Sequence, residues 1–401
     1  MHTLGCLAVD NGVAVGREAR GMVSDRNLNG VETPEETPAE TLCIGETMLL
    51  VVPASGESLS EAKQVSVHIG GAESNLAAGL AQLGARSEWF SRLGADPHAE
   101  RILRTLHERG VETPLVVTDP TRPTGLYFKD HSTGTNRVYY YRAGSAASAL
   151  GPGDLAGLRL SERRLVHLSG ITAALSASCD ALLQSVIVTR AASEPTVSFD
   201  VNYRPALWSV EDAGPRLLEL ARAADIVIVG RDEAETLWGT SDAASVRALV
   251  PDAAELVVKD AEFGATHFGA AGTTFVPALR VDVVEAVGAG DAFAAGYLAA
   301  WLSDDDTATA LRLGHIMAGY TLGAVSDIAV LPPRNVLRKL AASTDAEWAG
   351  LSLPATTNAA AEAPDAHPSD SHPSDSHPSD SHPSDSHPSD SQHEKEATHG
   401  T

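Results

Sequence analysis

The sequence predicts an α/β protein in which helices cover both faces of a mostly parallel sheet and a small separate β-sheet attaches at one edge. Three observations carry this reading. Beyond residue 165, short apolar runs (166–168, 196–200, 226–229 and 256–258) alternate with stretches of helical character such as 181–191 and 213–223. Those runs are mostly apolar, as strands buried on both faces are. Earlier, the runs 115–118, 125–129 and 138–141 are β-rich, split by turn residues, with no helix between them.

The elements follow in order. Residues 41–52 (TLCIGETMLLVV) read as one opening strand. Residues 75–83 place Leu76, Leu80 and Leu83 on one helical face. A strand is expected over 87–93, then a helix over 97–109 that Pro97 opens and Gly110 closes. A β-rich run, 273–287, leads into an apolar helix that reaches Leu302. The most apolar stretch, 286–302, is interrupted by Asp291 and falls short of the ~20 residues of a membrane span. No basic segment followed by an apolar one marks a signal peptide near the start.

The two ends differ from the middle. Residues 1–40 hold seven acids and three bases without sustained periodicity. They are expected to be a disordered extension, or sequence upstream of the true start. In the tail, 355–401, the unit HPSDS repeats five times over 367–391. A proline every five residues forbids a helix, and nothing apolar is there to pack. The tail carries nine acids, one Lys and seven of the chain's 15 His. It is expected to be disordered; weak metal capture or a pH-dependent charge is the functional alternative to a plain solvated segment. Residues 41–354 form the folded body, with the small-sheet strands falling within about 49–68 and 113–142.

Of the 401 residues 43% are apolar, as in a globular protein, and the formal net charge is −24. That charge argues against a nucleic-acid partner, because phosphate backbones call for a basic face. Three cysteines (Cys6, Cys43, Cys179) are too few and too scattered for a disulfide framework or a cysteine zinc site, so a cytoplasmic location is expected.

Four segments could carry chemistry. Val287-Gly288-Ala289-Gly290-Asp291 follows a β-rich run and opens a helix. Small residues there let backbone amides approach an anion at a helix start, and Asp291 could accept a proton from an attacking hydroxyl. Its structural alternative is an acidic residue that satisfies free amides in a first helical turn. Gly70-Gly71-Ala72-Glu73-Ser74-Asn75 is a second glycine turn before a helix, fit to hold a polar substrate or to serve as an ordinary cap. Asp200-Val201-Asn202-Tyr203-Arg204 follows a buried-type strand, and in open α/β sheets ligands bind beyond strand carboxyl ends. Tyr139-Tyr140-Tyr141-Arg142 places another guanidinium in the small sheet. Arg142 and Arg204 could grip an anion bidentately, or form surface ion pairs.

The constellation resembles the ribokinase (PfkB) sugar kinases. VGAGDAFAAG is similar to the family's second signature and GGAESNLAAGLAQLG to its first, and the likeness extends over about residues 41–340. Within the family GGAESN, TGLYF (124–128), YYYRAGSA (139–146), DVNYRPALW (200–208) and VVK (257–259) look most like 2-keto-3-deoxygluconate kinases. The resemblance implies a Rossmann-like three-layer α/β/α domain with a small β lid that also forms a homodimer contact. It implies that Asp291 is the catalytic base, and that Gly288, Ala289 and Gly290 form an anion hole for the γ-phosphate. Gly70, Gly71 and Asn75 would hold substrate hydroxyls, Tyr127 and Tyr140 would contact the sugar, and Arg142 and Arg204 would hold its carboxylate. Lys259 and Gly264, with Gly288 and Gly290, would lie along ATP, and Glu233 would hold Mg2+ through water. Three positions depart from the pattern: Gly230 stands where the Asn-x-x-Glu motif has Asn, Ala261 replaces a turn Gly, and Ser326 precedes Asp327 where a Gly is usual.

The expected activity is ATP-dependent phosphorylation of a sugar acid, 2-keto-3-deoxygluconate to its 6-phosphate. Alternatives are a kinase for fructose or 2-keto-3-deoxygalactonate, and a catalytically weak sugar-binding regulatory protein.

Overall fold

The apolar runs pair edge to edge into one eight-stranded sheet. The structure is a computed structural model, and it describes residues 38–353 apart from 56, 131–136, 191–194 and 325. The expectations for 1–37 and for the repeat tail lie outside these residues.

In chain order the first strands are β1 (Thr41–Ile44), β2 (Met48–Pro53), β3 (Val65–Gly70), β4 (Ser87–Phe90) and β5 (Arg92–Gly94). Then come β6 (Val117–Asp119), β7 (Leu126–Asp130), β8 (Arg137–Tyr141), β9 (Leu165–Ser169) and β10 (Thr196–Asp200). The last are β11 (Ile226–Gly230), β12 (Glu255–Asp260), β13 (Gly264–Gly269) and β14 (Gly272–Pro277). The main sheet has the order β14-β13-β12-β11-β10-β9-β1-β4. It is parallel from β4 to β12, and β13 and β14 close one edge antiparallel. Parallel pairing puts the carboxyl ends of β1, β9, β10, β11 and β12 at one end of the sheet, and the functional residues lie there.

Helices cover both faces. The first are α1 (Ala72–Gln82), α2 (Pro97–Glu108), α3 (Gly170–Leu175), α4 (Ala177–Leu183) and α5 (Val210–Ala223). These are followed by α6 (Arg231–Trp238), α7 (Ala243–Leu249), α8 (Ala289–Leu302), α9 (Thr307–Leu322), α10 (Arg334–Ala341) and α11 (Asp345–Ala349). One core packs Leu76 and Leu80 of α1, Ile102 of α2, Leu298 of α8 and Leu313 of α9 against the sheet. The other packs Leu182, Leu217 and Ala234 of α4, α5 and α6 against the opposite face. Each strand therefore buries alternate residues in different cores: Val257 in the first, Leu256 and Val258 in the second. This is why β11 and β12 are apolar along their buried length, whereas β9 and β10 bury His167 against Ser198 Oγ (3.2 Å).

The sequence reading needs three corrections. Residues 41–52 are not one strand. The chain leaves the main sheet at Gly45, where a Cβ would lie 2.1 Å from the Glu73 carboxyl carbon. That carboxyl is fully buried under the strand ends and accepts hydrogen bonds from Ser169 Oγ (2.7 Å) and Thr172 Oγ1 (2.8 Å). Burial pushes its pKa up to about 7. The run beginning at Leu115 does not belong to the small sheet: β6 pairs in parallel with β5, and the strand expected over 87–93 is thereby divided between β4 in the main sheet and β5 in this pair. The lid is β3-β2-β7-β8. Last, the body begins before Thr41. The Ala39 carbonyl accepts from Arg163 Nη1 (2.9 Å), and the Glu40 carbonyl accepts from the Arg164 amide (2.8 Å).

Candidate active site

Asp291 sits in the first turn of α8, 9% exposed. The turn before it needs Gly288, whose φ is +86° and where a Cβ would lie 2.8 Å from the Asp327 carbonyl oxygen. Two amides orient the carboxylate: Asn75 Nδ2 donates to Oδ2 (2.9 Å) and Asn202 Nδ2 to Oδ1 (3.3 Å). Asn75 comes from α1, just past the Gly70-Gly71 turn, where a Cβ on Gly71 would press to 2.3 Å from the Glu46 carbonyl oxygen. Asn202 follows β10 with φ at +42°, a left-handed conformation that Asn tolerates better than most residues. Burial raises the Asp291 pKa above the ordinary carboxylate value, while the Asn75 hydrogen bond and the Arg204 charge pull it back. A buried carboxylate whose proton affinity is raised is suited to accept a proton from a hydroxyl.

Beside it, Lys259 at the end of β12 pairs with Asp200 Oδ2 at 3.1 Å, and its ammonium would be 3.3 Å from a Cβ on Gly290. Burial alone would lower the Lys259 pKa, but the Asp200 and Glu233 charges outweigh it and raise it. Burial raises the Glu233 pKa, against the pull of Lys259. Glu233 Oε2 accepts from the Gly230 amide (2.8 Å), so the helix cap survives without the Asn of the resembled motif. Arg204 Nη1 lies 3.7 Å from Glu233 Oε1 and its side chain is 43% exposed, which leaves it available to an anion. Among the described residues, five buried oxygens around this end of the sheet have no hydrogen-bond partner: Thr47 Oγ1, Glu73 Oε2, Asn75 Oδ1, Asp200 Oδ1 and Asn202 Oδ1. Such orphans are costly unless a ligand engages them.

The lid faces this cluster. Tyr127 donates its hydroxyl to Asp327 Oδ2 (2.9 Å) and stacks on Tyr140 at 5.7 Å between ring centroids. The Tyr127 hydroxyl would lie 2.0 Å from a Cβ on Gly70, so only glycine admits it. Arg142 lies over the Tyr140 ring, and its Nε donates to Glu46 Oε2 (2.7 Å). The two arginines are therefore unequal: Glu46 already neutralises Arg142, whereas Arg204 stands beside Asp291.

Ala261 adopts φ +39° in the turn after β12, a left-handed conformation costing a non-glycine residue about 1 kcal/mol. Gly264 is demanded by packing, since a Cβ would lie 2.3 Å from the Val276 carbonyl oxygen, and it opens β13 opposite Asp260, the residue after Lys259. Sequence reasoning assigned no role to Glu46, Lys129, Glu285 or Asp327, which the fold draws to the lid side of the site. A hollow of about 780 Å³ opens on the opposite side of β12, between Arg231, Asp260, Phe263 and Phe275, and contains none of the site residues.

Comparisons with known proteins agree with this geometry. Residues 39–334 match the pfkB family carbohydrate kinases. A 2-dehydro-3-deoxygalactonokinase from Haloferax volcanii is 30% identical over 308 residues, 75% of this chain and 96% of that protein. A 2-dehydro-3-deoxygluconokinase from Bacillus subtilis is 34% identical over 199 residues, 49% of this chain and 61% of its relative. The crystal structure of a PfkB protein from Polaromonas sp. JS666 superposes with a TM-score of 0.67 at 33% identity, over 75% of this chain and 99% of that one. A fructokinase from Xylella fastidiosa, solved with bound ATP, gives 0.67 at 25% identity over 75% and 98%. The fold, the two glycine turns and the buried Asp291 place this chain in the pfkB family of carbohydrate kinases.

Proposed function

We propose that this kinase phosphorylates a hydroxyl of a 2-keto-3-deoxy sugar acid, with 2-keto-3-deoxygluconate, converted to its 6-phosphate, as the substrate. The observation that carries the reading is the exposed Arg204 guanidinium beside the buried Asp291 carboxylate. A substrate gripped at its carboxylate by Arg204 can offer a hydroxyl from its other end to Asp291. A neutral sugar such as fructose has no need of that guanidinium. The Haloferax volcanii relative supports the galactonate epimer as the second reading.

In this reading Asp291 takes the proton of the attacking hydroxyl, and Asn75 and Asn202 hold its carboxylate in line. Gly70 and Gly71 let substrate hydroxyls approach the backbone, and Tyr127 and Tyr140 wall the sugar from the lid. The amides of Gly288, Ala289 and Gly290, at the positive end of α8, receive the charge of the transferred phosphoryl group. ATP supplies that group, and Mg2+ neutralises phosphate charge. The unpaired Asp200 Oδ1 and the Glu233 carboxylate fit a metal held through water, and Lys259 fits the phosphates. Positioning and charge neutralisation account for most of the rate in such transfers. The lid leaves Val65, Tyr139 and Tyr141 49%, 43% and 64% exposed along its edge strands, which supports a homodimer formed lid to lid. The free, buried thiols of Cys43 and Cys179 support a reducing, cytoplasmic setting.

Three measurements test this. ADP release across a panel of sugar acids and neutral sugars should be fastest with 2-keto-3-deoxygluconate, and Asp291→Asn should lower kcat at least ~10²-fold with binding retained. Fast turnover of fructose alone would refute the sugar-acid assignment. Arg204→Ala should raise KM for the sugar acid about 10- to 150-fold, the worth of a charged hydrogen bond, and leave KM for ATP nearly fixed. Arg142→Ala should change that KM less and lower the melting temperature, since it strands buried Glu46. Light scattering at micromolar concentration should give twice the chain mass; a strictly monomeric mass counts against the lid contact.

A further inference from the structure

The lid strand β7 carries Lys129, a buried lysine 2% exposed. Its ammonium lies 2.8 Å from Asp327 Oδ1 and 3.5 Å from Glu285 Oε2, and both acids are buried as well. Each acid has a second task. Glu285 Oε1 accepts from the backbone amides of Ala286 (2.9 Å) and Val287 (3.1 Å), the two residues that lead into Gly288. Asp327 takes the Tyr127 hydroxyl from the same strand, and its own backbone carbonyl abuts Gly288. The ammonium therefore joins the lid to both walls of the turn that opens α8.

We propose that Lys129 is a positioning residue for phosphoryl transfer: clasped by Glu285 and Asp327, it ties lid strand β7 to residues 285–288 and fixes the direction in which the turn's amides point. The inference rests on the assignment of the Gly288, Ala289 and Gly290 amides to the transferred phosphate. One ammonium lying between two buried carboxylates holds both in place, where they would otherwise repel each other. The Glu285 carboxylate, fixed in this way, accepts from both the Ala286 and Val287 amides. Removing the ammonium leaves the two carboxylates without the group that holds them, loosens the Glu285 bonds and frees the turn. Amides that must be preorganised for developing charge then pay for their ordering during the reaction.

The test compares the parent protein with Lys129→Met, Lys129→Arg and Glu285→Gln by steady-state ADP release and by amide hydrogen exchange over 285–290. Lys129→Met should lower kcat about 10- to 100-fold, less than the outright loss of an oxyanion donor. KM for ATP should stay within about threefold, and exchange at the Ala286 and Val287 amides should quicken about tenfold or more, as loosened Glu285 bonds require. Lys129→Arg, which keeps the charge, should recover most of the kcat. A folded Lys129→Met with kcat within about threefold of the parent, or with unchanged exchange, overturns the proposal. Where Lys129→Met does not fold, the isosteric Glu285→Gln decides by the same two readouts: a lower kcat with faster exchange supports it, and parent-like values overturn it. A parent that releases no ADP with any sugar fails the phosphate assignment instead, and the exchange comparison alone then decides whether Lys129 orders the turn.

Discussion

A carboxylate buried in the first turn of α8 is the constraint from which the rest of the site follows. An ionised carboxylate out of water is costly unless it is paired and hydrogen-bonded. Asp291 obtains what it needs from separate parts of the chain: the Asn75 amide from α1, the Asn202 amide after β10 and the Arg204 charge. These groups converge because parallel pairing puts the ends of β1, β10, β11 and β12 on one side of the sheet. The glycine turns are subordinate to the same constraint. Gly71 and Gly288 bring backbone close to Glu46 and Asp327, at distances no side chain permits.

In the proposed reading the charges around Asp291 suit a polyphosphate and its metal. Asp200, Glu233 and Asp291 face Lys259 and Arg204, so acids outnumber bases before any ligand arrives. A bare anion would meet that surplus unfavourably, whereas a magnesium-bound nucleotide brings its own cation. The orphaned Asp200 Oδ1 is a place for such a charge to act. On the sugar side of the proposed reading the balance is reversed at one point. Arg204 donates to the Tyr203 carbonyl (3.0 Å) and has Glu233 at 3.7 Å, and its half-exposed guanidinium is the group offered to a substrate carboxylate.

What could be read from the sequence was what is encoded locally. The two glycine turns, Asp291 and the polar residues after β10 stand in short segments whose order along the chain matches their roles, and the alternation of apolar strands and helices reports the layered sheet directly. The main sheet, its flanking helices and the membership of β7 and β8 in a small separate sheet follow from periodicity and turn residues, whereas β2 was hidden in the run 41–52. What was not legible depended on distant partners. Lys129 and Asp327 are 198 residues apart, and a lone lysine in a β-rich run reads as a solvent-facing position. Glu46 and Glu285 likewise look like ordinary acids until Arg142 and Lys129 are set against them. The break at Gly45 was hidden because the apolar pattern continues through it; the buried Glu73 carboxyl ends the strand there. The unequal standing of Arg142 and Arg204 has the same origin, since only the fold shows which guanidinium already has a carboxylate.

The account turns on Asp291 being a buried carboxylate whose proton affinity is raised by its surroundings and which takes the substrate's proton. Carbon-13 NMR titration of the side-chain carboxyl, assigned by comparison with Asp291→Asn, measures this directly. The account predicts a midpoint above the ordinary aspartate value, with kcat falling as pH drops through that midpoint because the protonated acid cannot accept the substrate's proton. A midpoint at or below the ordinary value, or a kcat indifferent to that titration, would contradict it.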